Sequence, residues 1–192
     1  TIVSDLALSD LDSDGDLDLY VGNGGYHNLK NGSNSLIDQV YMNNGKGVFM
    51  LSIKKNTPLK EGTSVVAIKE LNSDGNTSIF LGGSIIPGSY PKHYSNKLII
   101  CDSKGNLSVD KQQSKTLNSI KGIVRDAIWT DLNQDGSQDL IVVGEWMPVT
   151  VFLDKNGVLE KQTNYFLDSN TSEGWWNTIS STDLNNDGKT DF

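Results

Sequence analysis

Hydrophobic residues along this chain recur at every second position, in short runs. "IVSDLAL" (2–8), "LDLYVGN" (17–23), "SVVAI" (64–68), "SIFLGG" (78–83), "VRDAIW" (124–129) and "DLIVVGEW" (139–146) are the clearest, with "WWNTIS" (175–180) following the same habit. They are rich in β-branched and aromatic side chains and are bounded by Gly, Asn or Asp, as strands are. Three further pairs of apolar runs flank Asn- or Gly-containing turns: "VYMNNGKGVF", "LIICDSKGNLSV" and "VFLDKNGVL". Such turns supply the positive φ of a tight hairpin. No segment carries a convincing 3.6-residue period. The expectation is an all-β chain.

The polar stretches between these runs repeat. "DLDSDGDLD" begins at Asp10, "ELNSDGNTS" at Glu70, "DLNQDGSQD" at Asp131 and "DLNNDGKTD" at Asp183, spaced by 60, 61 and 52 residues. Leu holds the second place and Gly the sixth in all four copies. A single acidic nonamer is a solvated charge run, but four in register are a repeat. Each unit then reads as four short strands, with the acidic loop joining strands one and two. The unit length varies almost wholly between strands two and three. That connection is long in "GGYHNLKNGSNSLID" (24–38) and "SIIPGSYPKHYSN" (84–96), and shrinks to about "EWMP" (145–148) in the third unit. A fixed scaffold with one variable class of loop places function on that loop class. Four-stranded units of this period fit the blades of a β-propeller.

Crowded carboxylates are tolerable when a dication sits among them. Calcium takes six to eight oxygens, and a loop with side-chain ligands at positions 1, 3, 5 and 9, a backbone carbonyl at 7 and a turning Gly at 6 supplies them. The first loop offers Asp10, Asp12, Asp14 and Asp18, with the carbonyl of Asp16, whose own carboxylate is expected to face solvent. The third offers Asp131, Asn133, Asp135 and Asp139 with the carbonyl of Ser137. The fourth offers Asp183, Asn185, Asp187 and Asp191 with the carbonyl of Lys189. In the second loop Glu70, Asn72, Asp74, the carbonyl of Asn76 and Ser78 occupy these places; with two charges it is expected to be weak or empty. Magnesium, which keeps its waters and demands strict octahedral geometry, fits less well. An EF-hand would need flanking helices and a bidentate Glu at position 12, and the β-rich flanks oppose it.

These loops, with "DLIVVGEWMP" and "EGWWNTISSTDLNNDGKTDF", resemble the FG-GAP/VCBS repeat propellers. That family includes integrin α-subunit heads, cartilage acidic protein and bacterial surface proteins with an ASPIC/UnbV segment. The resemblance implies calcium in the loops and a role in recognition or adhesion. It also implies six to eight blades, so residues 1–192 would form one propeller segment of about three and a half blades, incomplete at both ends. Remaining blades of the same propeller, or another copy of the chain, would cover its open edges.

Composition sharpens the picture at three points. The formal charge of −8 argues against nucleic acid and anionic membranes as default partners. Half of the 24 acidic residues stand at ligand positions; without them the formal charge would be +4, so the acidity belongs to the loops. No apolar run is long enough to span a bilayer. The lone Cys101 permits no disulfide within the chain, and His27 and His93 are too isolated for a zinc site or a triad, so they read as surface residues. No Ser/His/Asp set, phosphate-cradling loop or Cys/His cluster suggests catalysis. Millimolar calcium affinity, usual for extracellular modules, suits an exported protein at the cell surface, in the periplasm or secreted. The function expected is a calcium-stabilised recognition module that binds protein or glycan through the loops opposite the calcium sites. Tyr26, Tyr90, Tyr94, Glu145 and Trp146 are its ligand-face candidates. The alternatives are a carbohydrate-active enzyme or its substrate-binding propeller, and a structural spacer in a larger surface protein.

Overall fold

The computed structural model describes residues 2–52, 60–69, 75–162 and 173–192. It holds three antiparallel sheets in chain order. β1 (Val3–Ser9), β2 (Asp18–Asn23), β3 (Gln39–Met42) and β4 (Met50–Leu51) form the first. β5 (Thr63–Lys69), β6 (Thr77–Gly83), β7 (Lys97–Cys101) and β8 (Leu107–Asp110) form the second. β9 (Ile123–Thr130), β10 (Asp139–Pro148), β11 (Thr150–Lys155) and β12 (Val158–Gln162) form the third, and β13 (Glu173–Trp175) pairs with the far half of β10. The nonamers at 10–18 and 131–139 join the first and second strands of their units, as the repeat predicts; the one at 183–191 is closed by an isolated bridge between Thr182 and Asp191, and residues 70–74 of the second lie outside the described residues.

The sheets stack face to face, β1 on β5 and β5 on β9. The period of two explains how, because the middle sheet is apolar on both faces. Val66, Ile79, Leu81, Ile99 and Cys101 pack with Tyr20, Val40 and Leu11 of the first unit. The alternate residues Val65, Ala67, Phe80 and Leu98 pack with Val124, Leu140, Val142 and Phe152 of the third. The outer face of the first sheet has no such cover: Leu6 and Leu8, which match Val66 and Ile68 of the second unit in register, are exposed.

Two details tighten the stacking. Gly22 and Gly82 end the second strands where the next sheet comes closest. A Cβ at Gly22 would stand 2.8 Å from Val66 Cγ2, and one at Gly82 would stand 2.9 Å from Val124 Cγ1. Space, not backbone conformation, demands glycine at both. Neighbouring units are also tied by polar bonds. Asp5 accepts from the Val66 N–H at 2.7 Å, the Ser64 hydroxyl lies 3.1 Å from the Val124 carbonyl, and Asp126 accepts from the Ile179 N–H at 2.9 Å.

One helix corrects the expectation from periodicity. α1 (Lys111–Leu117) follows β8, capped by the Asp110 carboxylate on the Gln113 N–H at 2.9 Å. Seven residues are too few to show a period, and the helix survives through tertiary contacts. Leu117 is buried in the core, and Gln113 reaches the Gly157 carbonyl and the Leu159 N–H of the third unit.

The long 24–38 connection ends on Asp38, which is buried and accepts from the Asn23 N–H (2.8 Å), Thr63 Oγ1 (2.7 Å) and Tyr20 OH (3.0 Å). Burial pushes its carboxyl up from 3.8 to about 6, against the lowering effect of those donors. In the second unit Asn96 makes the matching bond, from the Gly83 N–H at 3.0 Å.

Two outcomes follow. Gly82→Ala is expected to destabilise the chain by ~1–3 kcal/mol in urea unfolding, with Val124→Ala in the same chain recovering part of the loss. The Asp38 carboxyl holds its proton more tightly folded than unfolded, so it subtracts stability as pH rises from about 4 to 6. Asp38→Asn, which keeps the shape, should lose ~1–3 kcal/mol less than wild type across that window.

Candidate functional site

The first, third and fourth acidic loops share one backbone solution. The carboxylate at position 1 folds over the turn and accepts from the N–H groups of positions 5 and 6. Asp10 takes those of Asp14 (3.2 Å) and Gly15 (3.0 Å), Asp131 those of Asp135 (3.2 Å) and Gly136 (2.9 Å), and Asp183 those of Asp187 (3.1 Å) and Gly188 (2.9 Å). The carboxylate at position 9 reaches back to the N–H of position 2: Asp18 to Leu11, Asp139 to Leu132 and Asp191 to Leu184, at 2.9–3.0 Å. In the first and third units its other oxygen accepts from the strand-three/four hairpin, at Asn43 and Asp154 respectively, both at 2.8 Å. Position 9 therefore clamps the loop to the hairpin.

Sequence reasoning missed a feature of position 4. Ser13, Gln134 and Asn186 adopt φ of 60°, 59° and 60°, the left-handed region, two residues before the positive-φ glycine. Three different residue types share that conformation, so no residue pattern announces it.

In the first loop, one ligand atom each from Asp10, Asp12 and Asp18 lies within 4.8 Å of the other two. Among the described residues the third and fourth loops gather no such trio of acidic side chains. Their third positions are Asn133 and Asn185, whose amides donate to Asp135 and Asp187 at 2.8 and 3.3 Å. Asp14 and Asp135 accept from the N–H groups of Asp16 and Ser137. Lys189, at the seventh place of the fourth loop, donates its N–H to Asp187 at 2.9 Å. Asp16 departs from the expectation of a solvent-facing carboxylate: its Oδ1 is buried and the group takes a hydrogen bond from the Gly45 backbone. Burial first, then Asp14, raises its pKa. Burial likewise raises Asp18 and Asp139. In the second loop, Glu70, Asn72 and Asp74 lie outside the described residues; Asn76 and Ser78 lead into and begin β6.

The donor set is all oxygen, hard and anionic. It fits calcium, and a cation among Asp10, Asp12 and Asp18 would offset the burial that now raises Asp18.

At the opposite end of the strands lies a cleft of about 460 Å³, lined by Tyr90, Pro91, His93, Lys121, Ile123 and Trp146 among others. Tyr90 and Trp146 are 53 % and 60 % exposed. Trp146 has φ of +60° and sits where the pairing of β10 with β13 shifts register, and the Trp175 ring meets it edge-on, 4.7 Å away. The other ligand-face candidates lie elsewhere. Tyr94 is buried and donates to Asn31 Oδ1 at 2.7 Å, and Tyr26 stacks on His27 at 4.2 Å. Glu145 is buried in an ion pair with Arg125, whose Nε lies 2.7 Å from Oε1. Lys121 carried no sequence signal, because only the fold sets it beside the 84–96 connection.

A family model described as an FG-GAP-like repeat matches residues 131–192, from the first residue of the third loop through the fourth loop. No curated protein matches the chain.

Asp139→Ala is expected to strand the buried Asp154 N–H and the half-buried Leu132 N–H. In calcium-free buffer it should cost ~2–5 kcal/mol of unfolding free energy and speed hydrogen exchange at both amides.

Proposed function

We propose that this chain is a segment of a calcium-stabilised β-propeller, each four-stranded sheet a blade, serving as an exported recognition or adhesion module. The single observation that carries the reading is the recurrence of one loop geometry in the first, third and fourth units, with Asp10, Asp12 and Asp18 converging in the first. The FG-GAP-like match over 131–192 supports the propeller. Calcium would bind the three loops through the ligand positions named above, and the first would bind most tightly because it carries four side-chain charges. The open face at Leu6 and Leu8 supports a further unit of the same kind packing there, in the same polypeptide or another copy. Among the described residues no helix is long and apolar enough to cross a membrane. The roughly millimolar affinity of such loops suits calcium outside cells. The ligand, protein or glycan, would bind at the end of the strands away from the loops.

Thermal melts in calcium and in EDTA test this. Calcium at several millimolar should raise the melting temperature by several degrees. Asp12→Asn should weaken calcium binding about tenfold or more while leaving the EDTA melt unchanged or slightly higher, since one repelling charge is gone. Identical melts in calcium and EDTA would overturn the proposal.

A further inference from the structure

The aromatic cleft is the strongest feature that the calcium loops do not explain. Tyr90 and Trp146 both line it with exposed side chains, and the backbone at Trp146 is unusual. Trp146 is a bulky residue in the left-handed region, between the ion-paired Glu145 and the fully buried Met147. Such strain persists only where the surroundings enforce it, and here they enforce an outward indole. The volume lies within the range of small-molecule sites, about 300–1,000 Å³.

Charge narrows the ligand. The chain is acidic overall, yet the side chains that line this cleft include Lys121 and His93 and no carboxylate. Among the described residues no carboxylate pairs with Lys121. Lys161 lies near enough that burial and the Lys121 charge together lower its pKa. A lysine with no carboxylate partner beside exposed aromatic rings calls for a ligand with an apolar ring face and a negative charge. Sugar rings carry C–H faces that pack on aromatic rings, and acidic sugars add the carboxylate or sulfate.

We propose that this cleft binds an acidic oligosaccharide, with Trp146 and Tyr90 stacking a sugar ring and Lys121 pairing with its anionic group. This rests on reading the chain as a recognition module and commits that reading to a glycan. An acidic peptide would answer to Lys121 but would leave the flat aromatic pair unused.

Titration calorimetry with tetragalacturonate, maltotetraose and hexaglutamate, at fixed calcium, tests it. Tetragalacturonate should bind at least tenfold more tightly than either of the others. Trp146→Gly, which suits a φ of +60° and so preserves the fold, should weaken tetragalacturonate binding at least tenfold. Lys121→Gln should reduce it to the level of maltotetraose. Equal binding of maltotetraose or hexaglutamate, no binding of tetragalacturonate, or full binding by either variant would overturn the proposal. Calcium-dependent melts of the same samples keep the two readings apart. A preserved calcium shift without tetragalacturonate binding sinks the cleft alone, whereas a missing shift sinks the calcium-propeller reading.

Discussion

A carboxylate oxygen accepting a main-chain N–H is the interaction on which this molecule depends. Asp10, Asp131 and Asp183 close the loops with it, and Asp18 and Asp139 clamp loops to hairpins. Asp38 anchors the long connection on Asn23, while Asp5 and Asp126 tie one unit to the next. Such charge-assisted bonds are stronger than neutral ones, and those at Asp38 and Asp139 satisfy N–H groups that would otherwise be buried unpaired. Aspartate is short enough to reach the backbone a few residues away, which is why it, and not glutamate, fills these joints. The acidity of the chain is thus built into its connections.

That arrangement has a consequence for charge. Asp18 and Asp139 satisfy amides on both sides, yet burial works against their ionised forms. Lys69 brings a cation to the third loop. Its ammonium lies 2.6 Å from Asp154 and over the Trp129 ring, and Asp135 is lowered by the Ser137 N–H, by Asn133 and by Lys69 in turn. Among the described residues no ion pair reaches Asp10, Asp14 or Asp18 of the first loop. The first loop, with the most carboxylates and no lysine of this kind, is the one whose ligand atoms converge. Where the protein supplies its own cation, the demand for an external one falls.

What could be read from the sequence follows from what repeats. The strand–loop–strand unit recurs with the same Leu and Gly, and its period of two dictates the stacked, doubly apolar middle sheet. Two kinds of glycine were not separable by pattern. Gly15, Gly136 and Gly188 are required by positive φ with nothing near a Cβ, whereas Gly22 and Gly82 are required by the approach of the next sheet. Helix α1 was hidden because seven residues span only two turns. The residues of the variable connections separated for another reason. Tyr90 and Tyr94 lie four apart in one aromatic-rich segment, and only tertiary packing exposes the first and buries the second.

The two ends of the strands obey different constraints. At the loop end the geometry is fixed by hydrogen bonds repeated in the first, third and fourth units, which close the same kind of turn. At the other end the connections run 24–38 and 84–96 in the first two units and only a tight turn in the third. The short third connection leaves room: β10 extends past its pairing with β9 to Pro148, where β13 pairs with it, and the extension carries Trp146 out beside the longer 84–96 connection. The cleft therefore arises from a difference between neighbouring units, which a perfectly regular repeat could not make. A rigid, repeated end holds the sheets in place, and the irregular end turns that rigidity into a shaped surface.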